Sequence, residues 1–281
     1  MYKACLFHTI RRLSTSRLAK STITSHFATM SSSHTLPKGF LEGPAPNLKR
    51  SDVNFTKGRM PEYEGCWAVV LDGVMSKEEC DQLVTAAEAT TNGTWERALV
   101  NIGGGMQAMI EDTRKCGRII WDDRDIMTKL WARIGASVPE IHRLEKWASV
   151  TGNGPAKRNE VWKATRLNER ARFLKYNGGE YFKAHCDGTY ETPDRKERSY
   201  FTLHLYLNDP DGKDGQEPLE GGATTFHSWN MQERIDVVPK CGRVLMFQHR
   251  DLLHSGDDVV SGTKLTMRTD LMYAMEVPES K

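Results

Sequence analysis

The sequence predicts an α+β protein in which an antiparallel jelly-roll core follows N-terminal supporting helices. Three observations carry that prediction. Short apolar strands separated by turn signals recur from about Leu167 to Tyr273, the pattern of a sandwich or barrel, and a jelly roll is the double-sheet form with few exposed edges. Two amphipathic helical stretches lie upstream of them. At 281 residues the chain can bury a full core.

Residues 1–41 carry Lys3, Arg11, Arg12, Arg17, Lys20 and Lys38 and no acid; the first carboxylate is Glu42. Basic, Ser-rich and acid-free composition marks a targeting segment of the mitochondrial kind or a disordered tail. Met30 could instead begin a cytoplasmic form, so both locations are expected in equal measure. Residues 42–66 read as a linker and 67–165 as a helical support region. Residues 166–277 form the jelly-roll core, one folded unit with 67–165.

Within the support region, Trp67 to Leu71 reads as a strand. Ser76 followed by Glu79 is a capping box, in which each side chain satisfies a backbone N–H of the other residue. It opens a helix through about Ala89, whose Leu83, Val84 and Ala87 suit packing on a sheet. Asp122 to Val138 reads as a second helix, with Ile126, Leu130, Ile134 and Val138 on one face and Pro139 ending it. Gly152 to Pro155 reads as a turn, after which Leu167 to Tyr176 enters the core, with Arg172 directed to the pocket. Ser199 to Asn208 is apolar and aromatic, a buried strand. A polar loop follows from Asp209 to Glu220, then strands near Phe226, Ile235 to Val238 and Arg243 to Gln248. Gly262 to Tyr273 alternates as a final strand.

Chemistry concentrates at His185, Asp187 and His254. On a strand, positions 185 and 187 point to one face, and His254 comes 67 residues later, from another strand. Two imidazoles and one carboxylate on one side of a metal leave its remaining positions open, the set expected of a non-haem Fe(II) oxygenase. His249 is placed too early to serve well, and His204 and His227 read as structural strand or loop histidines. Cys186 should point away from the metal. Lys264, Thr266 and Arg268 share one strand face, so two cations can look toward the same pocket.

The stretch from Arg172 to Tyr273 resembles the catalytic domain of prolyl 4-hydroxylase-type, 2-oxoglutarate- and Fe(II)-dependent dioxygenases. The matching pieces are Tyr176 to Gly188 with the His185 and Asp187 pair, Gly221 to Phe226, Val238 to Gly242, and His254 followed by Gly262 and Lys264. The resemblance implies a double-stranded β-helix core with His185, Asp187 and His254 as iron ligands. It implies Lys264 as partner of the distal carboxylate of 2-oxoglutarate, with Tyr176 touching the same group, while Arg268 could share or take over Lys264's task. Fe(II), 2-oxoglutarate, O2 and L-ascorbate are the implied cofactors and co-substrates. The implied reaction couples decarboxylation of 2-oxoglutarate, giving succinate and CO2, to hydroxylation of a C–H bond. A binding module of the same fold without turnover is the alternative, as is an oxygenase that hydroxylates or desaturates a small metabolite instead of a peptidyl residue.

Composition narrows the partners. A net charge of +2 with 27% charged residues and no basic stripe with interleaved aromatics gives nucleic acid binding no support. No apolar run approaches the length of a membrane span. Six scattered cysteines without metal or redox spacing read as reduced thiols. The substrate is expected to be a small molecule or a peptidyl group, with specificity set by the loops Gly188 to Arg198 and Asp209 to Glu220. Oligomeric state stays open.

Overall fold

A computed structural model describes residues 35–103, 106–212 and 217–276. The basic segment expected over 1–41 therefore lies, for residues 1–34, outside the described residues. Within the described residues the fold is the expected jelly roll, built from two antiparallel sheets. The larger runs in the order Lys49–Asp52, Ala68–Asp72, Val244–Gln248, Glu197–Tyr206, Thr263–Met275, Arg170–Asn177, Gly117–Asp122 and Glu96–Arg97. The smaller runs Arg234–Val237, Thr224–His227, His254–Gly256, Tyr181–His185 and Arg114–Lys115.

The Glu197–Tyr206 strand is buried along both faces from Ser199 onward, with His204 half-buried. Phe201, Leu203 and Leu205 belong to one core cluster together with Leu83 and Ala87 of helix α1 (Lys77–Ala89) and Ile126, Leu130 and Ile134 of helix α2 (Arg124–Ile134). The opposite face of the larger sheet meets the smaller one, where Tyr206, Leu245 and Phe247 pack with Phe226 and Val237. A strand buried on both faces has no solvent side to encode as polar. The same alternation sets Thr202, His204 and Tyr206 between the sheets, and that is where the site forms.

Helix α1 starts at the expected capping box: Glu79 N–H donates to Ser76 Oγ at 3.2 Å and Ser76 N–H to Glu79 Oε2 at 2.9 Å. Glu79 also receives both terminal nitrogens of Arg133, at 2.8 and 2.7 Å, which ties α1 to α2.

Several expectations need correction. Helix α2 ends at Ile134, not Val138, because Gly135–Ser137 tightens into a 3-10 turn before Pro139. Gly152 to Pro155 is not a simple turn: short helices Ala148–Thr151 and Asn153–Lys157 meet at Gly152, whose φ of +91° a side chain rarely adopts. Pairing with Thr263–Met275 begins earlier than Leu167, at Val161–Leu167, and continues past a break at Asn168 into Arg170–Asn177. Residues 42–66 are not a bare linker. Lys49–Asp52 extends the larger sheet, and Phe55, Met60 and Tyr63 enter the core beside Phe226 and Phe247. Their apolar side chains are spaced without any period, so composition reads as linker where packing makes structure. Residues 67–165 likewise contribute strands to the larger sheet as well as helices. No helix among the described residues is long and apolar enough to cross a membrane.

Candidate metal and co-substrate site

His185 and His254 are brought together by strand register. They are direct partners across the antiparallel pair Tyr181–His185 and His254–Gly256, and cross-strand neighbours on one face are about 5 Å apart at Cβ. Their ring centroids lie 4.4 Å apart. Asp187 arrives differently from the expectation: the strand ends at His185, and the carboxylate sits in the loop just beyond it. Its place is fixed from the opposite sheet, where Thr202 Oγ1 donates to Oδ2 at 2.5 Å and Arg268 Nη2 stands 3.0 Å from Oδ1.

One ligand atom from each of the three residues falls within 4.8 Å of the others, and His185 and His254 Nε2 are 3.7 and 3.8 Å from the Asp187 oxygens. Both imidazoles are held alike. His185 Nδ1 lies 2.8 Å from the Lys183 carbonyl and His254 Nδ1 3.0 Å from that of Leu252. A carbonyl only accepts, so each Nδ1 carries the proton and each Nε2 presents a lone pair to the shared space. The His185 ring also stacks on Phe182 at 3.7 Å, and Phe247 meets His254 edge-on at 4.7 Å.

The electrostatics suit a cation. Burial opposes the charge on Asp187, yet the Arg268 guanidinium holds its carboxyl well below the ordinary range. Burial pulls His254 down to about 3, and neighbouring His185 adds to this, so its ring is neutral as ligation demands. This donor set of two imidazoles and a carboxylate fits Fe(II).

Beside the three donors lies a mostly apolar cavity lined by Leu174, Tyr176, Phe182 and Phe247. Lys264 projects into it from the strand directly paired with Tyr176. It is 1% exposed, and burial lowers its ammonium to about 8. Its Nζ lies over the rings of Tyr176 at 5.2 Å and Tyr206 at 5.9 Å, and among the described residues no carboxylate pairs with it. Gly222 makes room: with φ of +68°, a Cβ there would stand 3.2 Å from Lys264 Cδ. A buried, unpaired cation at the end of an apolar cavity fits a dicarboxylate such as 2-oxoglutarate.

Arg268 is placed otherwise. It lines the cavity, but its guanidinium meets Asp187 at 3.0 Å and Asp270 at 3.4 Å. Its charge is already met, so the two cations that sequence alone left interchangeable are distinct. Arg172 does not face the cavity as expected; it pairs with Asp270 at 3.2 Å. His249 is no part of the metal set, and His227 is satisfied by Ser255 at 2.7 Å. Cys186 is exposed, away from the ligands' shared space.

Several residues of the cavity escaped the sequence reading, Thr202, His204 and Arg114 among them. His204 lines it instead of serving as a plain strand histidine, and its buried Nε2 has no hydrogen-bond partner. His204 shares the face of Thr202, whose role shows only once the two sheets are packed. Arg114 comes from the short edge strand Arg114–Lys115 and lies 4.5 Å over the Phe182 ring. Nothing local in its sequence marks it.

Residues 171–269 match the family model described as the 2OG-Fe(II) oxygenase superfamily. No curated protein matches the sequence. Among solved structures, the chain is similar to the viral collagen prolyl hydroxylase of Paramecium Bursaria Chlorella virus-1 in its 2OG complex, at 21% identity over 75% of this chain and 98% of that one, with a TM-score of 0.44. A Pseudomonas putida prolyl-4-hydroxylase gives 15% identity over 78% and 99% and a TM-score of 0.45. A Trichoplax adhaerens prolyl hydroxylase, in complex with a hypoxia inducible factor oxygen degradation domain peptide fragment, gives 13% over 77% and 89% and a TM-score of 0.48.

Proposed function

We infer that this chain, whose residues 171–269 belong to the 2OG-Fe(II) oxygenase superfamily, is a dioxygenase that hydroxylates a C–H bond of its substrate. Substrate, O2 and 2-oxoglutarate give hydroxylated substrate, succinate and CO2, one oxygen atom entering each of the first two products. The observation that carries this reading is the pairing of His185, Asp187 and His254 with a buried, carboxylate-free Lys264 in one cavity. Iron, when bound, supplies the activation of O2 that no side chain can.

The chain's own residues do the rest. Lys183 and Leu252 carbonyls hold both imidazoles in the ligating tautomer. Thr202 and Arg268 orient Asp187 and leave its charge available. Lys264 receives the distal carboxylate, with the Tyr176 hydroxyl beside it. The apolar walls exclude water and strengthen that ion pair. Ascorbate belongs to this proposal as the reductant that would keep bound iron in the ferrous state.

The test is succinate release by the purified chain with Fe(II), 2-oxoglutarate and ascorbate, alongside iron content. Release that depends on both iron and 2-oxoglutarate is expected. A protein that binds neither would be the turnover-free module.

A further inference from the structure

A second cleft, of about 440 Å³, also borders Asp187 and is lined among others by Arg198, Tyr200, His249, Arg250 and Glu191. It shares only Asp187 with the co-substrate cavity. Four buried polar atoms lacking any hydrogen-bond partner belong to three of its side chains: Arg198 Nε, Tyr200 Oη, and His249 Nδ1 and Nε2. Tyr200 is 4% and His249 3% exposed. A buried polar group left unpaired costs about 1–3 kcal/mol, and native folds satisfy more than about nine in ten such groups. Several orphans in one cleft mark a place where a ligand completes the bonding.

The inventory of those groups fixes the ligand's chemistry. Arg198 Nε and one His249 nitrogen are donors, and the Tyr200 hydroxyl can donate. Arg198 gives Nη2 to Glu191 at 2.8 Å and lies beside the Tyr200 hydroxyl, so the acid is answered while Arg198 Nε and Tyr200 Oη keep no well-formed hydrogen bond. His249 Nε2 is 3.5 Å from Asp270, outside hydrogen-bond geometry, and Asp270 is matched by Arg172 and Arg268. Arg250 stands at the rim with its own acid, Asp251, 3.3 Å from its Nε. The donors left over, Arg198 Nε and the Tyr200 hydroxyl, suit an acceptor-only group such as a carboxylate. The volume lies in the lower part of the range for small-molecule sites, about 300–1,000 Å³.

We propose that this cleft holds the substrate to be oxidised, and that the substrate is an amino-acid-sized molecule recognised by a free carboxylate. The assignment rests on the dioxygenase reading and adds the substrate class to it. Arg198 and Tyr200 grip the carboxylate, His249 bonds a neighbouring polar group, and the substrate's far end reaches the metal over Asp187. The loop 188–198, through Thr189, Glu191 and Arg198, forms one wall. Asp209, Asp211, Gly212 and Glu217 of the loop 209–220 line a different cleft, whose described lining holds none of His185, Asp187 and His254.

The experiment uses the full chain loaded with Fe(II) and 2-oxoglutarate. The probes are a pool of N-acetyl amino acids and the matching pool of N-acetyl amino-acid amides, which differ only in the carboxylate. Succinate release should rise at least tenfold with the acids and less than twofold with the amides. Tyr200→Phe, which removes one hydroxyl, and Arg198→Met should each raise the acid concentration for half-maximal stimulation at least tenfold, with iron content and 2-oxoglutarate affinity kept. Equal stimulation by the amides, or none by the acids, overturns the assignment; the former would point to an internal peptide residue. Melting temperature with each pool reads the cleft without turnover. A shift by acids alone, in a protein that never releases succinate, would keep the carboxylate site and refute the oxygenase reading.

Discussion

Replacing Lys264 by Met should weaken 2-oxoglutarate binding and, at neutral pH, make the unliganded fold more stable. The lysine is buried at 1% exposure with its ammonium lowered from 10.5 to about 8. At about 1.4 kcal/mol per tenfold change in proton affinity, keeping it charged costs the fold about 3 kcal/mol. The rings of Tyr176 and Tyr206 return part of this, about 1–2 kcal/mol for two cation–π contacts. Burial therefore wins by about 1–2 kcal/mol, and Met fills similar volume without charge. The sign follows from proton counts. A lysine whose folded pKa lies below its unfolded value costs the full amount below pH 8. The cost fades as pH rises from about 8 to 10.5, where the unfolded chain binds more protons than the folded one. Guanidinium unfolding of the metal-free protein should thus favour Lys264→Met at pH 7 and show little difference near pH 10. Isothermal titration with 2-oxoglutarate should show at least a tenfold weaker complex for the variant at pH 7. For the parent chain, the affinity should fall as pH rises through 8, because the carboxylate then needs a proton taken up by Lys264. A variant that is destabilised equally at both pH values, and binds 2-oxoglutarate normally, would refute the reasoning.

Removing a metal donor by His254→Ala should lower Fe(II) affinity by more than about 100-fold, beyond the 10–100-fold typical of losing an orienting partner; unchanged iron content after dialysis would count against ligation. Thr202→Val deletes the 2.5 Å hydrogen bond to Asp187 and should weaken metal binding about 10–100-fold, read by competition with a chelating dye. Ser76→Ala breaks the capping box of α1 and should cost about 1 kcal/mol, lowering the melting temperature by about 2–4 °C with iron binding unchanged.

The sequence by itself marked His185, Asp187 and His254 as candidate donors and set Lys264 and Arg268 on one strand face. Each of these is encoded locally, by residue type and by the two-residue period of a strand. It also set α1, because a capping box acts over only three residues. The tertiary structure decided everything that depends on which strands lie opposite. Register across the smaller sheet made His185 and His254 partners, and packing of one sheet on the other gave Asp187 its hydrogen bond from Thr202 and its pairing with Arg268. It separated Lys264 from Arg268 as cations by bringing carboxylates to one of them alone. Arg114, His204 and the Arg198, Tyr200 and His249 cleft emerge only there. A side chain's face follows from its neighbours in the chain, whereas its partners follow from residues far along it, chosen by how the whole core packs.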